Sequence, residues 1–480
     1  MARYLAMAAL ALGVLRCGSS QDPREATLRS AFARADEALL AERPALVAGR
    51  YALMATGLQP YYRGSLAIFL RDWRDPAVGL SASRFAVDAP LVLGVGDPHV
   101  ENFGALLGRD GTVALETNDL DGADRLPYLW DLRRLTVGLC VAALASNPDD
   151  DAAHRVTAAA ARDIARSAAA AYAEAITPGA PELRVTDGGD APLLVDLFRR
   201  ANRDAPHHVE LTNLTTLDAA GHRRLLRGTP DPTTPTGIFH DLPAWAYASL
   251  PALFTRYRAS LTAPPEPAFF TVLDAVREFG SGVASWPRVR LLVVLRGDTD
   301  AADDDVIVEV KEQTDSTVPG GPPPNVWFDD DPSRVAAARR TIWSRPDAEP
   351  LWGTTTWFGL PVQVRRESEG NKGVKVANLT GAMGTPDAMR ALARVLGAML
   401  ARSHRRSLPT PTPQALAIAR DPQGFADEQA DVSVAYATRV AADWALFQDL
   451  LRRDGPTLGF APLGTDGPSA PVRALFTPAR

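Results

Sequence analysis

The spacing of apolar residues along the chain predicts a mixture of helices and short strands. Apolar positions recur at intervals of three and four, the period of a helix with one buried face, in several long stretches. These predicted helices cover residues 24–56, 61–73, 129–144, 152–176, 333–343, 387–402 and 425–453. Short apolar runs, typical of buried strands, occur at residues 91–95, 112–115, 289–295, 306–310 and 354–364. The pattern therefore predicts a helix-rich α+β protein.

The same pattern divides the chain into five regions. A short apolar segment at residues 1–20 precedes a helical region at 24–180. Clusters rich in Pro, Gly, Asp and Thr break up residues 181–278, which we interpret as a linker or an irregular insert. Residues 279–366 carry most of the predicted strands and form a small β lobe, and residues 367–480 form a C-terminal helical region.

Composition narrows the class of protein. A chain of 480 residues is long enough for two or three domains with buried cores. The formal net charge is −6, which argues against nucleic acid as a partner because non-specific nucleic-acid binding needs a basic face. The two cysteines, Cys17 and Cys140, predict neither a disulfide framework nor a metal-binding pattern.

The N-terminal segment favours export. Residues 4–15 form an apolar run that follows Arg3, resembles the core of a secretory signal and is too short to span a membrane. Cys17 is a candidate site for a lipid anchor, although Arg16 stands where such sites have a small residue, and cleavage after Ser20 fits about as well. We expect an exported or cell-envelope protein without a transmembrane helix, with a cytoplasmic N-terminal helix as the alternative.

Two polar segments in the first half of the chain carry the candidate chemistry. The sequence GDPHVEN presents Asp97 and Asn102 five residues apart, and Asp119 and Asp121 follow the next predicted strand. Phosphoryl transfer needs a group that orients the attacking hydroxyl and hard oxygen ligands for Mg²⁺. We therefore expect Asp97 to be the catalytic base, Asn102 and Asp119 to bind Mg²⁺, and Asp121 to be an auxiliary metal ligand.

Lysine is rare in this chain. Only Lys311, Lys372 and Lys375 occur, against 48 arginines. Because lysine is a compact point charge and arginine a planar fork, a lysine here marks a position where a guanidinium does not serve. Lys311 ends the second of two neighbouring predicted strands and is therefore a candidate for such a position. For Lys372 and Lys375, both a substrate or phosphate contact and a solvated loop remain open.

Residues 94–135 resemble the aminoglycoside phosphotransferases and their relatives. The shared order is a GD-x-H-x-x-N loop, a strand, an Asp-aromatic-x-x-Ala sequence, and then Pro and Asp-Leu. Leu120 stands here at the position that is usually aromatic or apolar. The resemblance implies a protein-kinase-like fold of two lobes, with ATP and Mg²⁺ as cofactors.

Most of the chain resembles a bacterial family called domain of unknown function 2252. The matching pieces are YYRGSLAIFL (61–70), GDPHVENFGAL (96–106), NDLDGADRLPYLWDLRRLTVGL (118–139), VIVEVKEQTDS (306–316), LARVLGAMLARSHRRS (392–407) and the segment DEQADVSVAYATRVAADWALF near the C-terminus. The family name assigns no activity. This resemblance therefore supports the fold and the site and leaves the substrate open.

The order of the parts differs from that of an ordinary kinase-like chain, in which the Gly-rich loop and the lysine strand precede the catalytic loop. Here the catalytic loop and metal segment come first, at residues 96–121, and the Gly turn and lysine strand follow at residues 280–311. We infer a circularly permuted kinase-like fold, which is physically acceptable when the termini lie close together at the surface. This order predicts that Lys311 lies within reach of Asp119. In such a fold we expect Lys311 to bind the phosphates of ATP, and Gly280 and Gly282 in the preceding turn to let the backbone approach them.

Four further residues are expected to support the site. Asp131, at the start of a predicted helix, is expected to hold the backbone of the catalytic loop, and His99 to fix that loop by hydrogen bonding. Arg63 contacts either a phosphate or a carboxylate, and we favour the structural role. Arg133 or Arg134 is expected to pair with the acidic cluster.

The favoured function is an ATP- and Mg²⁺-dependent phosphotransferase that acts on a hydroxyl of an unknown small molecule or protein, with nucleotidyl transfer as a variant. A non-catalytic nucleotide-binding or envelope protein of the same fold would agree with the export-like N-terminus. A metal-dependent phosphoesterase fits the Gly-Asp-x-His sequence. Such enzymes also need a later Gly-Asn-His, where this chain has Gly370-Asn371-Lys372.

Overall fold

The structure is a computed structural model that describes residues 22–86, 90–108, 110–146, 156–207, 209–228, 238–279, 282–316, 327–346, 349–408 and 412–460. Helices and antiparallel strands are mixed along the chain, so the predicted α+β class is confirmed. The helices are α1 (Pro23–Glu42), α2 (Pro44–Ala55), α3 (Leu58–Gly64), α4 (Leu66–Trp73), α5 (Tyr128–Ala145), α6 (Ala158–Ile176), α7 (Pro192–Asp204), α8 (Val209–Leu214), α9 (Ala244–Tyr247), α10 (Leu250–Arg258), α11 (Asp331–Ile342), α12 (Pro386–Arg406), α13 (Pro413–Arg420) and α14 (Pro422–Asp454). The strands are β1 (Val92–Gly94), β2 (Phe103–Leu107), β3 (Val113–Thr117), β4 (Asp124–Leu126), β5 (Thr215–Leu217), β6 (Arg223–Leu225), β7 (Ile238–Asp241), β8 (Val272–Phe279), β9 (Arg290–Leu295), β10 (Val306–Glu312), β11 (Gly353–Trp357), β12 (Leu360–Arg366) and β13 (Lys372–Gly373).

The helical part is built around α5, which is buried on all sides from Tyr128 to Ala143. A helix that is buried around its whole circumference lies in the centre of a core, and α5 takes its charged residues Asp131, Arg133 and Arg134 into that core. The alanines of α6 let α12 approach closely, and a Cβ added to Gly397 would lie 2.1 Å from the carbonyl oxygen of Ala168. Helices α6, α12 and α14 therefore pack tightly around α5.

The first predicted helix, residues 24–56, is two helices in the structure. Arg43 lies between α1 and α2 with φ −140° and ψ 46°, outside the helical region. Pro44 is the first residue of α2. Proline has no backbone N–H to donate and restricts the residue before it, so it ends one helix and begins the next.

The largest sheet has six antiparallel strands in the order β11-β12-β10-β9-β8-β7. Two of them, β7 and all but the last residue of β8, come from residues 181–278, and the described part of that region also holds α7 to α10, β5 and β6. The sequence suggested a linker or insert here. The elements are short and separated by Pro- and Gly-rich turns, which hides their periodicity.

The two faces of this sheet have different roles. Val308 and Val310 of β10 belong to the apolar core between the sheet and α10. Successive side chains of a strand point to opposite faces, so Glu309 and Lys311 project from the other face. That face lies toward residues 118–121, because Lys311 contacts Asp119.

Smaller sheets position the acidic segments. Strands β2 and β3 form a hairpin, and β13 adds to its edge through Lys372, which pairs with Ala105. Strands β1 and β4 pair so that Gly94 lies opposite Asp124. The chain therefore leaves β1 and enters β4 at the same place, which brings residues 95–102 and 118–123 together.

In the part of the chain that the structure describes, none of the helices has the length and apolar character needed to cross a membrane. The signal-like segment at residues 1–20, with the candidate lipid-anchor residue Cys17, lies outside the described residues.

Candidate active site

A buried carboxylate holds the backbone of residues 95–102, which we call the GDPH loop. Asp131, in the first turn of α5, accepts hydrogen bonds from the N–H of Val95 at 2.6 Å and of Gly96 at 2.9 Å. The indole of Trp130 donates to the carbonyl of Gly96 at 2.7 Å. Asp131 has no solvent exposure, so its loss would leave buried amides unpaired, at about 1–3 kcal/mol each. The structure gives Asp131 the loop-holding contacts expected from the sequence.

Gly96 is required by both its conformation and its surroundings. Its φ is +83°, in the left-handed region that favours glycine. A Cβ at this position would lie 1.8 Å from the carbonyl oxygen of Gly122. The GDPH loop and the stretch after Asp119 are therefore in direct backbone contact.

The two histidines near the loop are both buried. His404 of α12 lies 3.0 Å from the Asp131 carboxylate through Nε2 and 2.8 Å from the hydroxyl of Tyr172 through Nδ1. Burial lowers the pKa of His99 to about 4, although the charge of Asp97 opposes this shift. His99 is therefore neutral at pH 7.

The contribution of His99 to the loop comes from its backbone. Its N–H donates to the carbonyl of Asp97 at 2.8 Å, and its carbonyl accepts from the N–H of Asn102 at 2.8 Å. The side-chain Nδ1 has no hydrogen-bond partner among the described residues. These hydrogen bonds do not involve the imidazole, so the role expected for the His99 side chain remains a prediction.

Asp97, the candidate base, is bound by a buried arginine. Arg134 Nε lies 2.6 Å from Asp97 Oδ1. Arg134 also donates to the carbonyl of Tyr62 at 2.9 Å and lies over the Tyr62 ring, 3.8 Å from its centroid. These contacts join the YYRG sequence to the GDPH loop. The Asp97 side chain keeps 16% of its surface exposed, so a ligand can reach it.

Asn102 ties the two acidic segments together. Its Nδ2 donates to the carbonyls of Asp97 at 3.1 Å and Asp119 at 2.8 Å, and its Oδ1 accepts from the N–H of Asp119 at 2.7 Å. This positioning role was not foreseen. An amide oxygen has a second lone pair, so metal binding by Asn102 remains a prediction.

Lys311 of β10 contacts both carboxylates of residues 118–121, which we call the carboxylate segment. Its Nζ lies 2.9 Å from Asp119 Oδ2 and 2.7 Å from Asp121 Oδ2, although 192 positions separate Lys311 from Asp119 in sequence. Burial opposes the charge of the lysine, but the two carboxylates outweigh it and raise the pKa of Lys311. The contact that the permuted order predicts is present.

The two carboxylates differ in their environment. The Asp119 side chain is 44% exposed and that of Asp121 is 13% exposed. Enclosure in the cleft opposes ionisation of Asp119, but the Lys311 ammonium outweighs it and holds the pKa of Asp119 below its usual range. Burial and the charge of Asp119 raise the pKa of Asp121. Two acidic groups thus share one cation, an arrangement that attracts a second cation.

The polar face of the sheet next to Lys311 carries charges that the sequence analysis missed. Glu309 lies 3.0 Å from Arg290 Nε and 2.6 Å from Arg365 Nε. Burial opposes its ionisation, but these arginines outweigh it and lower the pKa of Glu309 to about 2. Arg365 also donates to the carbonyl of Asn118 at 3.1 Å. The alternation of valine with charged residues in VEVK is the signal that could have revealed this face.

Arg334 of α11 is a second residue next to the site that the sequence did not indicate. Its buried guanidinium donates to the carbonyls of Asp121 at 2.8 Å, Ala123 and Thr314. It therefore fastens the end of the carboxylate segment to the chain that follows β10. No local pattern distinguishes Arg334 from the other arginines of SRVAAARR.

Arg63 contacts a carboxylate, as in the structural role favoured above. It forms an ion pair with Glu101 in the GDPH loop, and the other oxygen of Glu101 accepts from the N–H of Val376 at 2.8 Å. Arg63 thus connects the loop to the segment after β13.

Of the two glycines expected to approach the phosphates, Gly280 lies outside the described residues. Gly282 has φ +74° in the turn between β8 and β9. That turn is fastened to the helical part, because Arg43 donates to the carbonyl of Pro287 at 2.9 Å. The role of both glycines in nucleotide binding remains a prediction.

The donor set of the carboxylate segment fits Mg²⁺. Asp119 Oδ2 and Asp121 Oδ2 converge on a single cationic atom, Lys311 Nζ, so their geometry suits a shared cation. Mg²⁺ prefers hard oxygen ligands and is commonly held by one or two carboxylates together with substrate phosphates. Among the described residues, no group of three or more His, Cys, Asp or Glu side chains is arranged to hold a metal ion.

The fold and these contacts define an α+β protein with an acidic, lysine-containing site between a helical part and an antiparallel sheet. The chain belongs to a family described as uncharacterized protein conserved in bacteria (DUF2252), whose sequence profile matches residues 42–450. This range includes every candidate site residue named above. No curated protein and no solved structure matched the chain.

Proposed function

We propose that the chain is an ATP- and Mg²⁺-dependent phosphotransferase of kinase-like fold that acts on a hydroxyl of a small molecule or a protein. The observation that carries the proposal is the position of Lys311 Nζ, 2.9 Å from Asp119 Oδ2 and 2.7 Å from Asp121 Oδ2. Kinases grip the ATP phosphates with a strand lysine and hold the metal ion with an aspartate on a facing segment.

The sheet topology supports the kinase-like part of the proposal. Strands β8, β9 and β10 are consecutive, antiparallel neighbours, with the Gly282 turn after the first and Lys311 on the third. In protein kinases the Gly-rich loop covers the phosphates and the lysine also lies on the third strand. Here this unit follows the GDPH loop in sequence instead of preceding it, which favours a circular permutation.

In this proposal Asp119 and Asp121 would hold Mg²⁺, with the Asn102 amide oxygen as the predicted third protein ligand. The metal would supply charge neutralisation on the phosphates. Lys311 would leave the carboxylates and bind the α- and β-phosphates, and Gly280 and Gly282 would admit the backbone to them. The hydrogen bonds of Asn102 to Asp119 would keep that aspartate in place during the exchange.

Asp97 would orient the acceptor hydroxyl. As the new O–P bond forms and the bond from the γ-phosphoryl group to ADP breaks, the hydroxyl proton would pass to the Asp97 carboxylate. Arg134 anchors one oxygen of that carboxylate, so the other oxygen is the one available to the acceptor. Because phosphoryl transfer has a loose transition state, positioning contributes more than basicity.

Thermal unfolding with nucleotide tests the binding part of the proposal. A ligand at a hundred times its Kd stabilises a folded protein by about 2.7 kcal/mol, so ATP with Mg²⁺ should raise the Tm of the wild type. Asp119→Asn should remove the Mg²⁺ dependence of this shift, and Lys311→Met should weaken nucleotide binding itself. Asp163→Asn, which changes an exposed aspartate of α6, is the matched control and should behave as the wild type.

Several outcomes separate the candidate functions. No shift with any nucleotide in folded protein would overturn the proposal, and unchanged binding in both site variants would show that the site is misplaced. A shift without transfer to any hydroxyl, and without loss of ATP, would indicate the non-catalytic nucleotide-binding alternative. Metal-dependent hydrolysis of a phosphate ester without nucleotide would indicate the phosphoesterase.

A further inference from the structure

The three lysines of the chain lie around the carboxylate segment. Lys311 contacts Asp119 and Asp121 directly. The backbone of Lys372 lies beside the same segment, because a Cβ added to Gly104 would be 2.8 Å from the carbonyl oxygen of Lys372 and 3.0 Å from Asn118 Nδ2. The distribution matters because arginine supplies the other 48 of the 51 lysine and arginine residues in the sequence.

Two of these lysines are already neutralised. Lys311 is buried between its two carboxylates. Lys372 Nζ lies 3.2 Å from Asp204 and 3.0 Å from Glu210, so it fastens β13 to the region of α7 and α8. Lys375 is different, because it is exposed and no carboxylate of the described residues lies within ion-pair distance of it.

The backbone around Lys375 is fixed although its side chain is exposed. The N–H of Val374 donates to the carbonyl of Phe103 at 2.8 Å, and the N–H of Val376 donates to the Glu101 carboxylate at 2.8 Å. Both valines are buried, with 1% and 6% exposure. Lys375 stands between two anchored residues, so its Cα is held against the GDPH loop while its side chain projects outward.

Gly373 leaves room for that side chain to reach the carboxylate segment. A Cβ added at Gly373 would lie 3.9 Å from Lys375 Cε and 3.5 Å from Asn118 Nδ2. The lysine stem and the Asn118 amide therefore flank the same glycine, and Asn118 directly precedes Asp119. A flexible four-carbon stem suits this reach better than a broad guanidinium.

We propose that Lys375 binds a phosphate group of the nucleotide at the open side of the site, next to Asp119. This assignment rests on the proposed function and adds a specific anion contact to it. Lys311 contacts the carboxylates from the sheet, whereas Lys375 lies at the edge of the β2–β3 hairpin, close to Asn118. A phosphate chain bound along the carboxylate segment would thus have one lysine on each side.

Calorimetric titration of the full chain with two probes tests this assignment. The probes are inorganic tripolyphosphate and ATP, each with Mg²⁺, and the variants are Lys375→Met and Arg420→Met. Arg420 is an exposed residue at the end of α13, so both variants remove one positive charge from the surface. Lys375→Met should weaken the binding of both probes about tenfold, as expected for the loss of one charged contact of about 1.4 kcal/mol, and Arg420→Met should not.

The outcomes distinguish this assignment from the proposed function. Equal binding of tripolyphosphate by Lys375→Met, Arg420→Met and wild type would overturn the role of Lys375 and leave the nucleotide site standing. Failure of the wild type to bind either probe would overturn both the role of Lys375 and the proposed function. Lys375→Arg keeps the positive charge but not the compact ammonium, so an affinity between those of Lys375→Met and the wild type would support a charge contact that lysine makes best. Equal loss in both charge-removing variants would overturn the assignment, because it would show only a general effect of net charge.

Discussion

The GDPH loop and the carboxylate segment are neighbours, but opposite parts of the molecule hold them. The GDPH loop is held from behind by Asp131 and Trp130, two consecutive buried residues of α5. The carboxylate segment is held by Lys311 and Arg334, which come from the sheet and from α11. We therefore expect the first loop to be pre-formed within the helical part, whereas the second also depends on contacts from the sheet and from α11.

This difference matters for the proposed mechanism. A loop that orients an acceptor hydroxyl gains from rigidity, since misplacement of reacting groups costs rate. A segment whose carboxylates exchange a lysine for a metal ion must instead release the lysine ammonium. The partial exposure of Asp119, 44% of its side chain, permits water and ligands to take part in that exchange.

The largest expected effect comes from the GDPH loop. Asp131→Ala would leave the N–H groups of Val95 and Gly96 and the ring of His404 without their buried acceptor. We expect a loss of roughly 3–5 kcal/mol in the free energy of unfolding, measured by urea denaturation. Asp131→Asn keeps one acceptor oxygen, so its free energy of unfolding should fall less.

Lys311→Met is the comparison variant for the other segment. This substitution should lower the free energy of unfolding by only about 1–2 kcal/mol, because water can hydrate Asp119 when the ammonium is gone. A cost for Lys311→Met as large as that for Asp131→Ala would contradict the distinction between a pre-formed and an exchangeable segment.

A pH-dependent effect on stability, also smaller than that of Asp131→Ala, is expected on the sheet side. Glu367 follows β12, and burial together with the charge of Glu309 raises its pKa to about 7. Between its ordinary pKa of 4.5 and pH 7 the folded protein therefore binds a proton that the unfolded chain releases. Stability should fall as the pH rises through this window.

Glu367→Gln replaces the ionisable carboxyl with a neutral amide and so removes this loss of stability at high pH. The variant should raise the free energy of unfolding at pH 8 by roughly 1–3 kcal/mol and change it little at pH 4.5, as measured by urea denaturation at both pH values. Glu174→Gln, at an exposed position of α6, is the control and should be neutral at both. An equal change for Glu367→Gln at the two pH values would rule out titration of this carboxylate as the cause.

The sequence predicted most of the helical part and one side of the site. Long periodic stretches marked α5, α12 and α14, and the GDPHVEN and NDLD sequences marked Asp97 and Asp119 because turn residues and carboxylates there follow apolar strands. Lys311 stood out only because lysine is rare. These signals are local, or compositional, and therefore visible in a single chain.

The rest depends on contacts between distant residues. Arg334 and Arg365 reach the carboxylate segment from 213 and 247 positions away, and no spacing rule indicates which of 48 arginines will do so. The strands between residues 238 and 279 were hidden by flanking Pro- and Gly-rich turns. The single predicted helix over residues 24–56 missed the break at Pro44, although that residue type is the usual cause of one.

A crystal structure with Mn²⁺ and a non-hydrolysable ATP analogue would test directly whether Asp119, Asp121 and Lys311 form a nucleotide site. We expect anomalous density for Mn²⁺ about 2 Å from carboxylate oxygens of Asp119 and Asp121, with Lys311 Nζ moved from them to the phosphates. Nucleotide bound elsewhere, with the ion pairs of Lys311 to Asp119 and Asp121 intact, would contradict it.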